Sequence, residues 1–271
     1  MLRAFSVLAR FWYLSDVNAL DTGKVLQRLL VAIYPKLCPT SMLRMLPRTT
    51  ANLTATSATA RLSSLSSHLS SSTKMPLLSS TGTPRVILGL MTFGPPGSED
   101  KGSRVTSIDD YNKCLDHFQQ NGYSEVDTAR VYIGGQQEAF TKEAHWKERG
   151  LTLATKCFPV SAGVHKPESL KGTLNKSLRE LGTDCVDIFY LHAPDRSVPF
   201  KDTLQACNEL FQEGKFVQLG LSNYAAWEVA EIWNIANERG WVKPTIYQAM
   251  YNAITRSIET ELVPCCRKYV H

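Results

Sequence analysis

Residues 167–192 read PESLKGTLNKSLRELGTDCVDIFYLH, and this stretch decides the fold. Leu170, Leu174, Leu178 and Leu181 fall on one face of a helix, with Pro167 suited to its first turn and Gly182 to its end. Val186–Leu191 is then a short, nearly continuous apolar run, the pattern of a strand buried on both faces. His192 stands immediately beyond it. A helix, a tight turn and a doubly buried strand together are the return half of a crossover between parallel strands.

The same alternation extends in both directions. Val86–Leu90, Tyr123–Asp127, Leu151–Lys156, Phe216–Ser222 and Thr245–Met250 are the other short apolar runs. Ser107 predicts the cap of a helix whose apolar side is Tyr111, Cys114, Leu115 and Phe118, closed by Gly122. Asp202 opens a helix carrying Leu204, Cys207, Leu210 and Phe211 before Gly214. Trp227–Asn237 and Ile258–Tyr269 read as helices, and Gln136–Glu148 as a less regular one. No G-x-G-x-x-G follows the first strand, so a doubly wound dinucleotide fold has no positive support. The expected class is α/β, of the (β/α)8 TIM-barrel type. Six βα units are read where a closed barrel takes eight, so residues 84–271 are expected to be a truncated barrel.

Composition sets the remaining bounds. Hydrophobic residues at 43% and charged residues at 20% are globular proportions and exclude a wholly disordered or fibrous chain. Residues 1–83 hold nine Lys or Arg, two Asp and no Glu, and about half the positions from Thr49 to Thr83 are Ser or Thr. The other 188 residues hold 21 basic and 23 acidic side chains. The overall charge of +5 thus belongs to the leader, and the folded part is not read as a nucleic-acid binder. The leader has three readings: an untranslated upstream segment with Met75 as the start, a transit peptide, or a disordered tail. No stretch approaches the roughly eighteen apolar residues of a membrane span. Seven cysteines without C-x-x-C spacing argue against a disulfide scaffold or a zinc site and for a reducing compartment. The cytoplasm is expected, or the mitochondrion if the leader is translated and acts as a transit peptide.

In a (β/α) barrel the chemistry lies at the C-terminal ends of the strands. Reading those ends gives Asp127, with Tyr132 five residues on, then Lys156, His192, the pair Ser222 and Asn223, and Gln248. Each alone has a structural explanation as a turn, cap or solvated residue. Together they compose a carbonyl reduction. A tyrosine can protonate the developing alkoxide, but a free phenol of pKa about 10 is a poor acid at neutrality. The Lys156 ammonium is expected to lower that pKa, Asp127 to hold the lysine, and His192 to hydrogen-bond the carbonyl oxygen. Ser222, Asn223 and Gln248 offer groups suited to a nicotinamide carboxamide. Met91 and Phe93, after the first strand, are read as lining a substrate pocket. Cys157, beside Lys156, is expected to point away from it and pack. Trp227, Trp233 and Trp241 are read as helix-packing residues.

The stretches VDTARVY (Val126–Tyr132), LATK (Leu153–Lys156), FYLHAPD (Phe189–Asp195), EGKFVQLGLSNY (Glu213–Tyr224) and IYQAMYN (Ile246–Asn252) resemble the aldo-keto reductases. Within that superfamily they look most like the aflatoxin-aldehyde reductase branch, which includes succinic semialdehyde reductases. The resemblance implies a catalytic tetrad of Asp127, Tyr132, Lys156 and His192, and nicotinamide contacts from Ser222, Asn223 and Gln248. It implies NADPH as hydride donor, small aldehydes and some ketones as substrates, no metal, and often a homodimer. In the family the aromatic residue stacked on nicotinamide comes from a seventh strand, and the groups holding the 2′-phosphate from the eighth strand and beyond. Those regions are not in this sequence, so one rival reading is a non-catalytic, reductase-like barrel that serves as a binding or interaction subunit. A second rival is a class I aldolase with Lys156 as the Schiff-base nucleophile, against which Asp127 would raise the lysine pKa.

Overall fold

The computed structural model describes residues 85–270. The basic leader and the alternative start at Met75 lie outside the described residues. The strands are β1 (Ile87–Gly89), β2 (Glu125–Asp127), β3 (Thr152–Cys157), β4 (Val186–Leu191), β5 (Phe216–Ser222) and β6 (Pro244–Gln248). The helices are α1 (Ile108–Gln120), α2 (Gln137–Glu143), α3 (Pro167–Leu181), α4 (Phe200–Gln212), α5 (Ala226–Arg239) and α6 (Leu262–Tyr269). All six strands are parallel and hydrogen-bonded in chain order, a curled portion of a (β/α)8 barrel.

Local chemistry explains most of the boundaries. Ser107 Oγ accepts from the Asp110 N–H at 3.3 Å and caps α1. Pro167 opens α3, and Gly182 closes it in the left-handed region at φ 70°. Leu170, Leu174, Leu178 and Leu181 of α3 are all buried, each worth roughly 1.5–3 kcal/mol relative to exposure. Three expected helices are corrected. The Gln136–Glu148 pattern is helical only through Glu143, because His145 turns left-handed and Trp146 donates its indole N–H to the Leu181 carbonyl at 2.9 Å. The Ile258–Tyr269 pattern splits into a 3-10 turn at Ser257–Glu259 and α6. Pro264 is the reason: lacking an N–H, it fits only a first turn, so the helix must begin just before it. The third helix starts at Phe200 behind Pro199, two residues ahead of Asp202.

The two faces of the sheet differ. Leu153, Cys157, Phe189, Leu191, Leu219 and Leu221 point outward into a core shared with the helices. Cys157 packs there, as strand alternation requires. Phe93 also belongs to this core, its ring 4.7 Å from that of Tyr111, and so does not line the cavity; Met91 is exposed. Trp233 packs against Tyr269, but Trp227 is 62% exposed, which corrects its reading as a helix-packing residue.

Inside the curl, Ala154, Ile188 and Tyr190 are buried with Ile246 against them. The Tyr190 ring lies on Gly220, where a Cβ would come within 2.3 Å of its Cδ1, so only glycine fits. At the N-terminal end Arg85 pairs with Glu125. The β5–β6 register breaks once: Leu219 faces Pro244, but Gly220 faces Ile246, leaving Thr245 as an extra residue. Gln218 Nε2 donates to Thr245 Oγ1 at 2.8 Å and anchors it.

Candidate active site

The parallel sheet brings the predicted residues to one rim. Asp127 ends β2 and Ser222 ends β5, Lys156 is next to last in β3, and Gln248 ends β6 opposite Ser222. His192 follows β4 directly, and its N–H donates to the Cys157 carbonyl at 3.0 Å, continuing the ladder one step past the strand. Tyr132 arrives on the loop after β2, whose Arg130 N–H donates to the Lys156 carbonyl at 3.1 Å.

Lys156 is the centre of the cluster. Its side chain is fully buried, and Nζ donates to Asp127 Oδ2 at 2.5 Å, the Thr128 carbonyl at 2.7 Å and the Tyr132 hydroxyl at 3.3 Å. The three N–H bonds of an ammonium are thus all used. The His192 ring stands edge-on to Tyr132 at a centroid distance of 5.9 Å. Tyr132 and His192 are both half-buried, so a solute can reach them, whereas the lysine is sealed beneath.

The electrostatics follow from burial. Burial, and then the charge of Asp127, push the Tyr132 phenol up to about 12. This differs from the direction expected for a phenol beside an ammonium, because Asp127 offsets the lysine's field and desolvation disfavours the phenolate. Tyr132 therefore keeps its proton through the neutral range. Burial, helped by the Lys156 charge, lowers His192 to about 4, so its imidazole is neutral at pH 7 with one N–H to donate. His192 Nδ1 is buried without a partner. Burial also lowers the Lys156 ammonium from its usual value, with Asp127 acting in the opposite sense.

Ser222, Asn223 and Gln248 form a second group beside the first. Asn223 sits at φ 60°, a left-handed conformation that asparagine tolerates, and donates Nδ2 to the His192 carbonyl at 2.8 Å and Ser222 Oγ at 3.1 Å. Its amide oxygen makes neither of these bonds and is left as an acceptor. Gln248 adds a second amide from the neighbouring strand. A hydroxyl and two amides match the donors and acceptors of a carboxamide, so these residues fit a nicotinamide ring.

A model of the aldo/keto reductase family matches residues 85–270. The chain belongs to that family. Human aldo-keto reductase family 7 member A3 is 44% identical over 194 residues, covering 70% of this chain and 56% of that protein. Human aflatoxin B1 aldehyde reductase member 4 is 43% identical with the same coverage of each chain, which agrees with the aflatoxin-aldehyde reductase branch. Among solved structures, a thermostable aldo-keto reductase, Tm1743, crystallised with the inhibitor epalrestat, superposes with a TM-score of 0.58 at 25% identity. That match covers 71% of this chain and 68% of the other. The chain spans about half the length of the curated relatives it matches.

In this family member, sequence reading overlooked an ion-pair cluster behind the tyrosine. Arg130 Nη1 contacts Glu138 Oε2 of α2 and Glu180 Oε2 of α3, both at 2.5 Å, and Nη2 reaches the Gly135 carbonyl. Glu138 is 0% exposed, and its other oxygen accepts from Thr155 Oγ1 at 2.6 Å. The only sequence signal was an arginine between two residues of the site with a glutamate eight positions on, and such charges normally read as solvated. Phe158 was also overlooked; its exposed ring stands edge-on to His192 at 5.4 Å. Among the described residues, no group of three or more His, Cys, Asp or Glu is arranged to hold a metal ion, and no helix is long and apolar enough to cross a membrane.

Proposed function

We propose that the chain carries out, or is the larger part of a protein that carries out, NADPH-dependent reduction of aldehydes and some ketones to alcohols. The observation that carries this reading is the fully buried Lys156 ammonium bonded at once to Asp127 and to the Tyr132 hydroxyl, with a neutral His192 beside them. The nicotinamide, when bound, would supply the hydride to the carbonyl carbon. Ser222, Asn223 and Gln248 would hold its carboxamide and so fix which face of the ring meets the substrate. His192 would donate its N–H to the carbonyl oxygen, orienting it and stabilising charge there. Tyr132 would give that oxygen its proton. A phenol near 12 is still far more acidic than a species like water at about 15.7, so transfer to an alkoxide runs downhill. Lys156 would then stabilise the phenolate at 3.3 Å, with Asp127 holding the lysine charged. Phe158, with exposed Met91 and Val131, would give the substrate an apolar surface.

Burial outweighs Asp127 and lowers the Lys156 pKa, contrary to the raised value expected, but the aldolase alternative is weakened by geometry, since the lysine is sealed beneath the rim with its three hydrogen-bond positions engaged. Free cysteines at all six described positions suit a reducing compartment, which supports the cytoplasm, and a homodimer is kept as the proposed state from family likeness. The test is NADPH oxidation by the full chain with a reactive aromatic aldehyde, followed by nicotinamide absorbance, with circular dichroism on the same sample. Turnover abolished by Tyr132→Phe supports the reading. A folded chain without turnover would overturn it for this chain and favour a binding role.

A further inference from the structure

We propose that Arg130 is a positioning residue: its guanidinium clamps the loop that carries Tyr132 and so sets the hydroxyl against Lys156. This deepens the reading of Tyr132 as proton donor and rests on it. The Arg130 guanidinium bonds to two helices and to its own loop. One of its nitrogens lies between Glu138 on α2 and Glu180 on α3, and the other binds the Gly135 carbonyl across the loop. The clamp therefore grips the chain on both sides of Tyr132, at residues 130 and 135.

The other end of the clamp is rooted in the catalytic strand. Glu138 is fully buried and accepts from Thr155, whose neighbour in β3 is Lys156. The Arg130 N–H, in turn, donates to the Lys156 carbonyl. Strand, arginine and glutamate close a circuit around the tyrosine, with the donor and its lysine fixed to the same frame. Between the grips, Ile133, Gly134 and Gly135 all have positive φ, at 51°, 59° and 86°. A β-branched residue rarely adopts that conformation, so local preference does not hold this loop. A Cβ at position 135 would lie 2.7 Å from Arg130 Nη2, so the glycine also makes room for the guanidinium. The buried charges explain why the residue is arginine. Only a planar fork reaches two carboxylates and a carbonyl at once, and a lysine offers a single point charge.

The experiment compares wild type, Arg130→Lys and the double variant Arg130→Met/Glu138→Gln, which removes the clamp without stranding the fully buried Glu138 charge, while the half-buried Glu180 keeps Lys176 at 4.0 Å. Two readouts are taken on the full chain: kcat and KM for NADPH-dependent aldehyde reduction, and hydrogen–deuterium exchange of residues 131–136. The expected result is a kcat loss of about 10- to 100-fold in both variants, with KM and nucleotide affinity within about 2-fold of wild type. Exchange should rise in residues 131–136 while β3 and β4 stay protected. A purely structural arginine would lower the melting temperature and raise exchange across α2 and α3 yet leave kcat of the folded protein unchanged, and that result would overturn the proposal. If wild type itself shows no turnover, the reductase reading has failed and the clamp stands or falls on exchange alone. Faster exchange confined to 131–136 supports it, and unchanged exchange there sinks it.

Discussion

Strands β3 and β4 and strands β1 and β6 form one sheet, yet they are buried to different degrees. Every residue of β4 is buried and all but the first of β3, whereas β1 alternates exposed and half-buried and β6 is buried only at Pro244. The candidate site divides along the same line. Lys156 and His192, with Asp127 behind them, belong to the packed middle, where an ammonium has its hydrogen bonds satisfied by protein alone. Asn223 is exposed and Gln248 half-buried, on the side toward β6. The group proposed to handle the proton is thus preassembled, and the two amides proposed to hold a carboxamide wait at a more open flank. Preassembly matters because reorganisation avoided at the moment of reaction lowers the barrier.

Substitutions in the middle should have the larger effects. For Lys156→Met we expect turnover to fall about 10⁴-fold, the upper end for a proton-transfer group, with the fold retained but its urea midpoint lowered because Asp127 loses its partner. Tyr132→Phe should cost about 10²- to 10⁴-fold in kcat and leave nucleotide affinity within about 2-fold. Equal losses in both would blur the division between the two groups. In the interior, Gly220→Ala drives a methyl into the Tyr190 ring and should cost about 1–3 kcal/mol by urea titration, since overpacking cannot be relieved there. At the flank, Gln248→Ala should raise the nicotinamide-nucleotide KM no more than about 10-fold, the loss of one hydrogen bond, with kcat nearly unchanged. A kcat loss as large as that of Tyr132→Phe would erase the comparison.

A further effect is one of pH. The folded state holds His192 near 4, below its unfolded value near 6.5, so between those values the unfolded chain binds more protons. Its contribution to stability is full above about 6.5 and is lost as pH falls through about 4. Urea midpoints over that range should decline less steeply for His192→Asn than for wild type; parallel slopes would remove His192 as the cause.

The strands and the strand-end residues were legible because both depend on local pattern. A doubly buried strand must be an apolar run, and a polar residue at its end stands out against it, as His192 does after Leu191. Pro264 shows the reverse case, a helix signal overridden by a missing N–H that the apolar spacing conceals. The Arg130–Glu138 pair was illegible for another reason: three separate elements meet there, and nothing in a run of sequence says that a charged residue will be buried by its partner. The direction of the Tyr132 shift was also hidden. It depends on how far Asp127 cancels Lys156 and on the depth of burial, both set by the assembled site rather than by residue type. Trp227 misled because aromatic residues at helical spacing usually pack, and this one faces water.

Thr245, the extra residue between β5 and β6, has an effect out of proportion to its size. Side chains along a strand alternate between two sides, so an extra residue either inverts the phase of everything beyond it or is absorbed by a bulge, as Thr245 is here. With Thr245 present, Gln248 stands across from Ser222 at the rim. Were the ladder regular there, with Thr245 facing Gly220 instead of bulging out, Tyr247 would stand opposite Ser222 and the amide would fall one position further on, toward the helices. One threonine, tethered by Gln218, thereby decides whether the rim shows an amide or a phenol. Straightening that bulge, not deleting the threonine, is the change that would swap the two side chains at the rim while leaving the pairing of the other strands untouched.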